Sequence, residues 1–279
     1  MIFVRDKGQM CNNIIQFGHA YGWAREHGHR AISMRFGYKY RYFNICRTPG
    51  HNFTTYFTVK ILATLRLIPD ITYREYGCDR TREEERAAAR KYWPTVISRW
   101  FVRHYDEFER HLPELRHLFS LLPEYEAVVE RHWREAVPDG TRVIGLHIRR
   151  GDYAQFYDGL FLLSDDEYIA AAKATMALDP DTPHTIIICG NDPNLNTAKY
   201  QQELSEATVH ISQGAPWEDL ALFSRCHLLI GPPSSYTLVA AMHGKARLRW
   251  LRHGDTITAE TEFAPFSTCL RTFDAYFPH

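Results

Sequence analysis

Apolar and polar residues alternate along the second half of the chain in blocks that predict strands and helices in turn. Short runs with many apolar residues predict strands, at 142–148, 184–189, 227–230 and 247–251. Apolar residues at three- and four-residue spacing predict helices between them, at 164–178, 217–226 and 234–243. Because strand and helix alternate at this period, we expect a parallel sheet with crossover helices.

The first half of the chain is less regular. A short strand within residues 1–10, a helix over 12–27 and a strand over 31–34 predict a β-α-β opening. Residues 36–57 are rich in aromatics, which indicates either a packed loop, the reading we favour, or a sugar-stacking surface. Residues 81–134 are predicted to be mostly helical, with interruptions at three prolines.

A strong turn, Pro138-Asp139-Gly140, marks a change of composition and predicts a domain boundary. We therefore expect an N-terminal domain over 1–140, a second domain over 141–255, and a tail over 256–279 that packs back on the body. No internal repeat interrupts this division.

Composition narrows the class of protein. The chain has 279 residues, 45% of them hydrophobic, and a formal net charge of zero, which favours a globular protein and argues against nucleic-acid binding. Cys189 and Cys226 lie in apolar runs and are expected to be buried thiols of a reducing compartment. No run approaches the roughly 20 apolar residues of a membrane span. We expect a cytoplasmic protein, and docking at the inner face of a membrane stays open.

Polar side chains follow three of the predicted strands directly. They are His147, Arg149, Arg150 and Asp152 at the end of the first strand, Asn191 and Asp192 after the second, and Ser234 and Ser235 after the third, at 227–230. Ligands of open parallel sheets bind at the carboxyl ends of strands, so these groups are expected to meet.

This set of groups suits a nucleoside diphosphate better than a bare phosphate or a metal. Paired guanidiniums bond phosphate oxygens, and serine hydroxyls at a helix start add free N–H groups and the positive end of the dipole. Asp192 would accept from a base or ribose. The separate alternatives remain: Arg149 and Arg150 as structural partners of acids such as Asp152 or Asp158, Asn191-Asp192 as a turn, and Ser234 or Ser235 as a helix cap.

These residues carry a family resemblance. Residues 147–153, His-Ile-Arg-Arg-Gly-Asp-Tyr, resemble the His-x-Arg-Arg-Gly-Asp-Tyr motif of the α-1,2-fucosyltransferases of glycosyltransferase family 11, and more loosely that of α-1,6 and nodulation fucosyltransferases. Residues 190–192 are similar to the second motif, Ser-Asn-Asp, and residues 219–226 with Ser234-Ser235 resemble the third. Residues 8–17 resemble the family's start, and order and spacing agree from residue 8 to about 251.

The resemblance implies an α/β protein of GT-B type, with two Rossmann-like domains and a cleft between them. The domain over 1–140 would serve the acceptor side, and the domain over 141–255 would bind the nucleotide-sugar donor. It implies an inverting transferase that moves L-fucose from GDP-fucose to a glycan hydroxyl, with no cofactor and no essential metal. Arg149 would grip the donor β-phosphate with help from Ser235, His147 and Asp192 would lie near the guanine, and Asn12 would reach the cleft from the N-terminal domain.

Two features of this chain leave choices open. Cys11 and Asn13 stand where the family has glycine and glutamine, which bears on sugar and acceptor choice. The catalytic base is sought among Asp152, Asp158 and Glu167, and we favour Asp152, which instead could orient Arg149.

The same residues are also compatible with other functions. A binding module that keeps the fold without transfer is the main alternative, followed by a transferase for another GDP- or UDP-linked sugar. The fifteen histidines show no metal-binding spacing such as His-Glu-x-x-His, so a metal enzyme is disfavoured.

Overall fold

The computed structural model describes residues 1–5, 8–72, 94–98 and 102–277. These residues form two compact units, Met1–Pro123 and Glu124–His279, each built on its own parallel sheet. The sequence placed the boundary at 140 instead. The difference is the helix Pro123–Ala136, whose side chains bond to the second unit: Arg225 binds Glu126 at 2.5 Å and Glu130 at 2.7 Å.

The first unit holds a four-stranded sheet in the order β2-β1-β4-β3, all parallel. The strands are β1 (Ile2–Arg5), β2 (Ala31–Ser33), β3 (Asp70–Thr72) and β4 (Thr95–Ser98). The helices are α1 (Met10–Glu26), α2 (Phe53–Thr64), α3 (Tyr105–Arg110) and α4 (Leu112–Leu118). The predicted β-α-β opening is thus present, whereas β4 lies inside the region predicted to be helical.

Helix α1 is buried along most of its length because α3 approaches it closely. A Cβ at Gly22 would lie 2.6 Å from the backbone of Glu107, and one at Gly18 would lie 2.2 Å from the ring of Phe108. The two glycines, four residues apart, form the groove that admits α3. Residues 81–93 of the predicted helical region lie outside the described residues.

Helix α5 (Pro123–Ala136) leads into the second unit, whose five parallel strands have the order β7-β6-β5-β8-β9. The strands are β5 (Arg142–Ile148), β6 (His184–Gly190), β7 (Thr208–Ile211), β8 (Leu228–Gly231) and β9 (Arg247–Trp250). The helices are α6 (Asp165–Met176), α7 (Thr197–Glu203), α8 (Pro216–Arg225), α9 (Ser235–His243) and α10 (Phe266–Thr272). Strand β5 is central, with the chain running outward to β7 on one side and to β9 on the other.

Side chains of β5 alternate between the two faces of this sheet, as the strand period requires. Ile144, Leu146 and Ile148 are fully buried in one hydrophobic cluster with α6. Gly145 and His147 face α8 and α9, where a Cβ at Gly145 would lie 2.9 Å from the ring of Phe223. The residues after 255 return to this unit, since Leu248 bridges Ala264 and Trp250 packs on Phe273.

None of the described helices is both long and apolar enough to span a bilayer.

Candidate functional site

The order of the second sheet places a topological switch point between β5 and β8. The chain turns to opposite sides of the sheet from these two neighbours, so the loops after them diverge and leave a crevice at their carboxyl ends. The loop after β5 begins with Arg149, and the loop after β8 runs through Pro233 to Ser234. Two of the three predicted polar groups therefore flank one crevice.

Tyr153 connects the two loops at the crevice. Its hydroxyl donates to the carbonyl of Pro233 at 2.5 Å, and the guanidinium carbon of Arg149 lies 5.3 Å from the centroid of its ring. Burial raises the pKa of Tyr153 to about 12, so the hydroxyl keeps its proton for this bond. The sequence placed Tyr153 in a motif but gave it no role.

The guanidinium of Arg149 has a hydrogen-bond donor that is not engaged by the described residues. One terminal nitrogen donates to Asp152 at 2.8 Å, and that carboxylate is 61% exposed. The Nε of Arg149 is buried and has no hydrogen-bond partner among the described residues. Its backbone N–H donates to the hydroxyl of Tyr168 at 3.1 Å, which anchors the residue to α6. A strongly basic group with one exposed, displaceable partner is suited to an incoming anion.

Arg150 is held quite differently, because both of its terminal nitrogens are engaged. One donates to Asp192 at 2.8 Å and the other to Asp165 at 2.5 Å, and Asp165 also accepts from the hydroxyl of Tyr200. Burial acts to lower the pKa of Arg150, but the two carboxylates outweigh it and raise that pKa. The structure thus favours the ion-pair alternative for Arg150, with Asp165 and Asp192 in place of Asp152 or Asp158.

The Asn191-Asp192 pair serves the same loop from β6. Asn191 accepts from the backbone N–H of Arg150 at 2.8 Å and donates back to its carbonyl, while the second oxygen of Asp192 accepts from Asn194 N–H at 2.9 Å. Both side chains are therefore used to fix loops, as the turn alternative expects. A direct contact of either side chain with a ligand stays a prediction.

His147 projects from β5 between α8 and α9. Its ring stacks on Tyr236 at 5.2 Å and meets Phe223 edge-on at 6.0 Å. Burial, followed by the nearby charge of Arg149, lowers the pKa of His147 to about 3, so this imidazole is neutral. Its Nδ1 is buried without a hydrogen-bond partner among the described residues.

The two serines lie where α9 begins. Ser234 is buried and caps the helix, since its hydroxyl accepts from the N–H of Tyr236 at 3.2 Å. Ser235 is the first helical residue and is half-buried. The cap alternative holds for Ser234, and the dipole of α9 points its positive end at the crevice.

The three candidate bases differ in the hydrogen bonds and ion pairs that their carboxylates already form. Glu167 closes the capping box of α6 with Ser164 and accepts from Gly254 N–H at 2.9 Å. Asp158 lies on an exposed turn with a left-handed backbone, at φ 53°. Asp152, bound only to Arg149 among the described contacts, is the candidate beside the crevice.

The N-terminal motif lies in the other unit, at the start of α1. Asn12 is half-buried and lies against Gly8, where a Cβ would come within 2.6 Å of its Nδ2. Cys11 and Asn13 are buried, and both amide atoms of Asn13 lack a hydrogen-bond partner among the described residues. Sequence reasoning chose Asn12, whereas the unpaired buried amide is that of Asn13.

A groove of about 920 Å³ lies at the amino ends of the strands, away from the crevice. Arg142, Arg225 and Arg247 line it, but each already donates to a protein oxygen. Among the described residues no group of three or more metal-ligating side chains occurs.

Comparison with solved structures connects this geometry to known proteins. The chain resembles NodZ α-1,6-fucosyltransferase co-crystallised with GDP, with a TM-score of 0.57 and 15% identity over 90% of this chain and 94% of that one. A variant of Arabidopsis thaliana FUT1 in complex with GDP aligns with a TM-score of 0.58 and 13% identity over 88% of this chain and 69% of that one. POFUT1 in complex with GDP-fucose aligns at 0.52 and 10% identity over 95% of each chain.

The chain has the α/β fold of the GT-B fucosyltransferases. Its two parallel sheets correspond to the two Rossmann-like domains that the sequence predicted. No model of a protein family matches the sequence, and no curated protein matches it either, so membership of glycosyltransferase family 11 stays a prediction.

Proposed function

We propose that this protein is a glycosyltransferase that transfers a sugar from a GDP-linked donor to a glycan hydroxyl, with L-fucose as the sugar. The observation that carries the proposal is Arg149, which lies at the switch point of a fold shared with proteins solved with GDP or GDP-fucose. Its guanidinium has a buried donor available, and among the described residues its one ion-pair partner, Asp152, is exposed.

The donor diphosphate would displace Asp152 from Arg149 and lie against the start of α9. Arg149 and the N-terminal dipole of α9, with the Ser235 hydroxyl, would stabilise the charge that develops on the diphosphate as the bond to the sugar breaks. These groups supply the stabilisation that a metal ion gives other transferases, so the proposal includes no metal and no cofactor. Neutral His147 would face the guanine side of the crevice.

Inversion requires the acceptor hydroxyl to attack the anomeric carbon from the side opposite the diphosphate. The hydroxyl loses its proton to a base and forms a new C–O bond to the anomeric carbon, while the bond from that carbon to the diphosphate oxygen breaks and GDP leaves. Once released from Arg149, Asp152 is the candidate for that base. Arg150, Asn191 and Asp192 would act by positioning the loop that carries Arg149, and a part for Asn12 in the site stays a prediction.

Titration calorimetry with GDP, UDP and ADP in the presence of EDTA tests the proposal. We expect binding of GDP alone, and its loss in Arg149→Ala with the melting temperature unchanged. Asp152→Asn is expected to keep or raise GDP affinity, because the carboxylate that competes for Arg149 is gone, and to lose transfer. Unchanged GDP affinity in Arg149→Ala would refute the assignment, and GDP binding without donor hydrolysis or transfer would point to a binding module.

A further inference from the structure

The outer face of α2, in the first unit, is apolar and exposed. Four of its side chains recur every four residues, with exposed fractions of 56% for Phe53, 52% for Phe57, 41% for Ile61 and 62% for Leu65, and Leu67, 66% exposed, follows past the helix end. This spacing keeps them along one side of a helix, over a length of about 18 Å at 1.5 Å per residue. Contiguous exposed apolar side chains of this size mark an interaction surface.

The inner face of α2 is apolar as well, so the exposed stripe is not the helix's core-facing side. Val59 is buried against Phe3 and Val96 of the first sheet, with Tyr56 and Leu62 packed around them. On the outer side, the rings of Phe53 and Phe57 stack at 6.1 Å. A helix that is apolar on both faces needs an apolar environment on its second face too.

The charged side chains of the chain segment that carries this face are all of one sign. Between His27 and Pro69 the sequence has no Asp or Glu, in a chain whose formal net charge is zero. The Lys and Arg residues of that stretch are Arg30, Arg35, Lys39, Arg41, Arg47, Lys60 and Arg66. This segregation of charge to one stretch indicates an anionic partner.

Several of these cations lie beside the stripe. The ammonium of Lys60 is 5.8 Å from the ring centroid of Tyr56 on the same helix. Lys39, whose ammonium lies 5.2 Å from the ring centroid of Tyr40, follows Tyr38, and the ring of Tyr38 lies 4.4 Å from that of Tyr56. Arg66 lies two residues past the end of α2, between the exposed Leu65 and Leu67. The apolar stripe is thus bordered by positive charge at its flank and at its end.

We propose that this face, Phe53, Phe57, Ile61, Leu65 and Leu67 with Lys39, Lys60 and Arg66, docks on an anionic lipid surface. Apolar side chains of an interfacial helix enter the boundary between headgroups and acyl chains, while Lys and Arg bond the lipid phosphates. A second copy of this chain would bring two basic surfaces together, which like charges oppose. The inference stands apart from the proposed transfer reaction.

Vesicle flotation of the full chain tests the proposal. We expect binding to vesicles of equal phosphatidylcholine and phosphatidylglycerol, little binding to phosphatidylcholine alone, and weakening as salt shortens the Debye length. The double variant Phe57→Ser/Lys60→Gln removes one apolar and one cationic group and should weaken binding by about tenfold or more. The matched control, Leu178→Ser/Lys245→Gln in the second unit, changes an exposed leucine and an exposed lysine and should bind as the parent does.

Circular dichroism and melting temperature verify that each variant folds, and Leu65→Ser provides a second variant at a site beyond the helix end. No binding to anionic vesicles, equal binding to neutral ones, or equal loss in the control would overturn the proposal. So would self-association that disappears in Phe57→Ser/Lys60→Gln, since the face would then join two copies. GDP titration of the same variants separates this outcome from failure of the proposed function, because GDP binding is expected to be unchanged in all of them.

Discussion

Replacing Arg150 by methionine should destabilise the second unit, whereas the same change at Arg149 should not. Methionine keeps the apolar stem of Arg150 and removes a guanidinium that is 22% exposed and binds Asp165 and Asp192, themselves 20% and 13% exposed. Removing one partner of a fully buried pair costs about 3–5 kcal/mol, because a charge is left without compensation. Since water reaches all three groups here, we expect about 2–3 kcal/mol.

Differential scanning calorimetry of the full chain measures the effect. A loss of that size corresponds to a fall of about 5–10 °C in the melting temperature of a unit of this length. Arg149→Met is the matched control, because its one carboxylate partner is mostly exposed and such pairs contribute about 1 kcal/mol or less. Arg150→Met/Asp165→Asn should recover part of the loss, since one uncompensated carboxylate is gone. An unchanged melting temperature in Arg150→Met, together with lost GDP binding, would refute the reasoning.

Two further predictions concern pH. Burial raises the pKa of Asp219 to about 6, so between about pH 4 and pH 6 the folded protein keeps a proton that the unfolded chain releases. Stability therefore falls as pH rises through that range. Asp219→Asn should raise the free energy of unfolding, measured in urea at pH 8, by up to about 3 kcal/mol and should change it little at pH 4. An equal effect at both pH values would contradict this. Burial lowers the pKa of His147 to about 3, so below pH 6.5 the unfolded chain takes up a proton that the folded protein excludes. Stability therefore falls as pH falls from 6.5 towards 3. The NMR signals of the His147 ring, assigned with His147→Gln, should not titrate above pH 4, and an inflection near 6.5 would disprove a buried neutral ring.

Strands β5, β6 and β8 of the second sheet were predictable from sequence because they are central and buried on both faces. Their runs of Ile, Leu and Val contain few polar residues, and turn residues bound them on each side. Strand β5 matches its predicted range fully, and β6, β8 and β9 differ by a residue or so at their ends. Strand β7 and helix α7 were missed, and β7 is a polar edge strand with half-exposed side chains.

The first sheet was harder to predict because its strands are short. Its strands have three or four residues, too few for periodicity to separate strand from helix. Strand β4 lies between β1 and β3, and only its pairing with both identifies it. Within residues 36–57, Phe36, Tyr40 and Phe43 are buried as the packed-loop interpretation expects, but Phe53 and Phe57 begin an exposed helix face.

The candidate site was predictable in location and less so in the role of each residue. Strand ends fix where polar groups gather, because the edge of a parallel sheet follows from its topology. The partners of Arg150 are distant in sequence: Asp192 is 42 residues away and Asp165 is 15 residues away. A local sequence pattern therefore does not predict which carboxylate binds which arginine. Two adjacent arginines of one motif therefore look alike in the sequence and differ in the structure.

The buried Nε of Arg149 ties the stability of the protein to its affinity. Folding removes this donor from water without giving it an acceptor among the described residues, a loss of about 1–3 kcal/mol for a group of this kind. An oxyanion that accepts a hydrogen bond from this Nε removes the free-energy cost of leaving the donor unpaired. Any substitution that places an internal acceptor there should make the protein more stable and a weaker anion binder at once, so selection for a tighter fold would act against selection for the ligand.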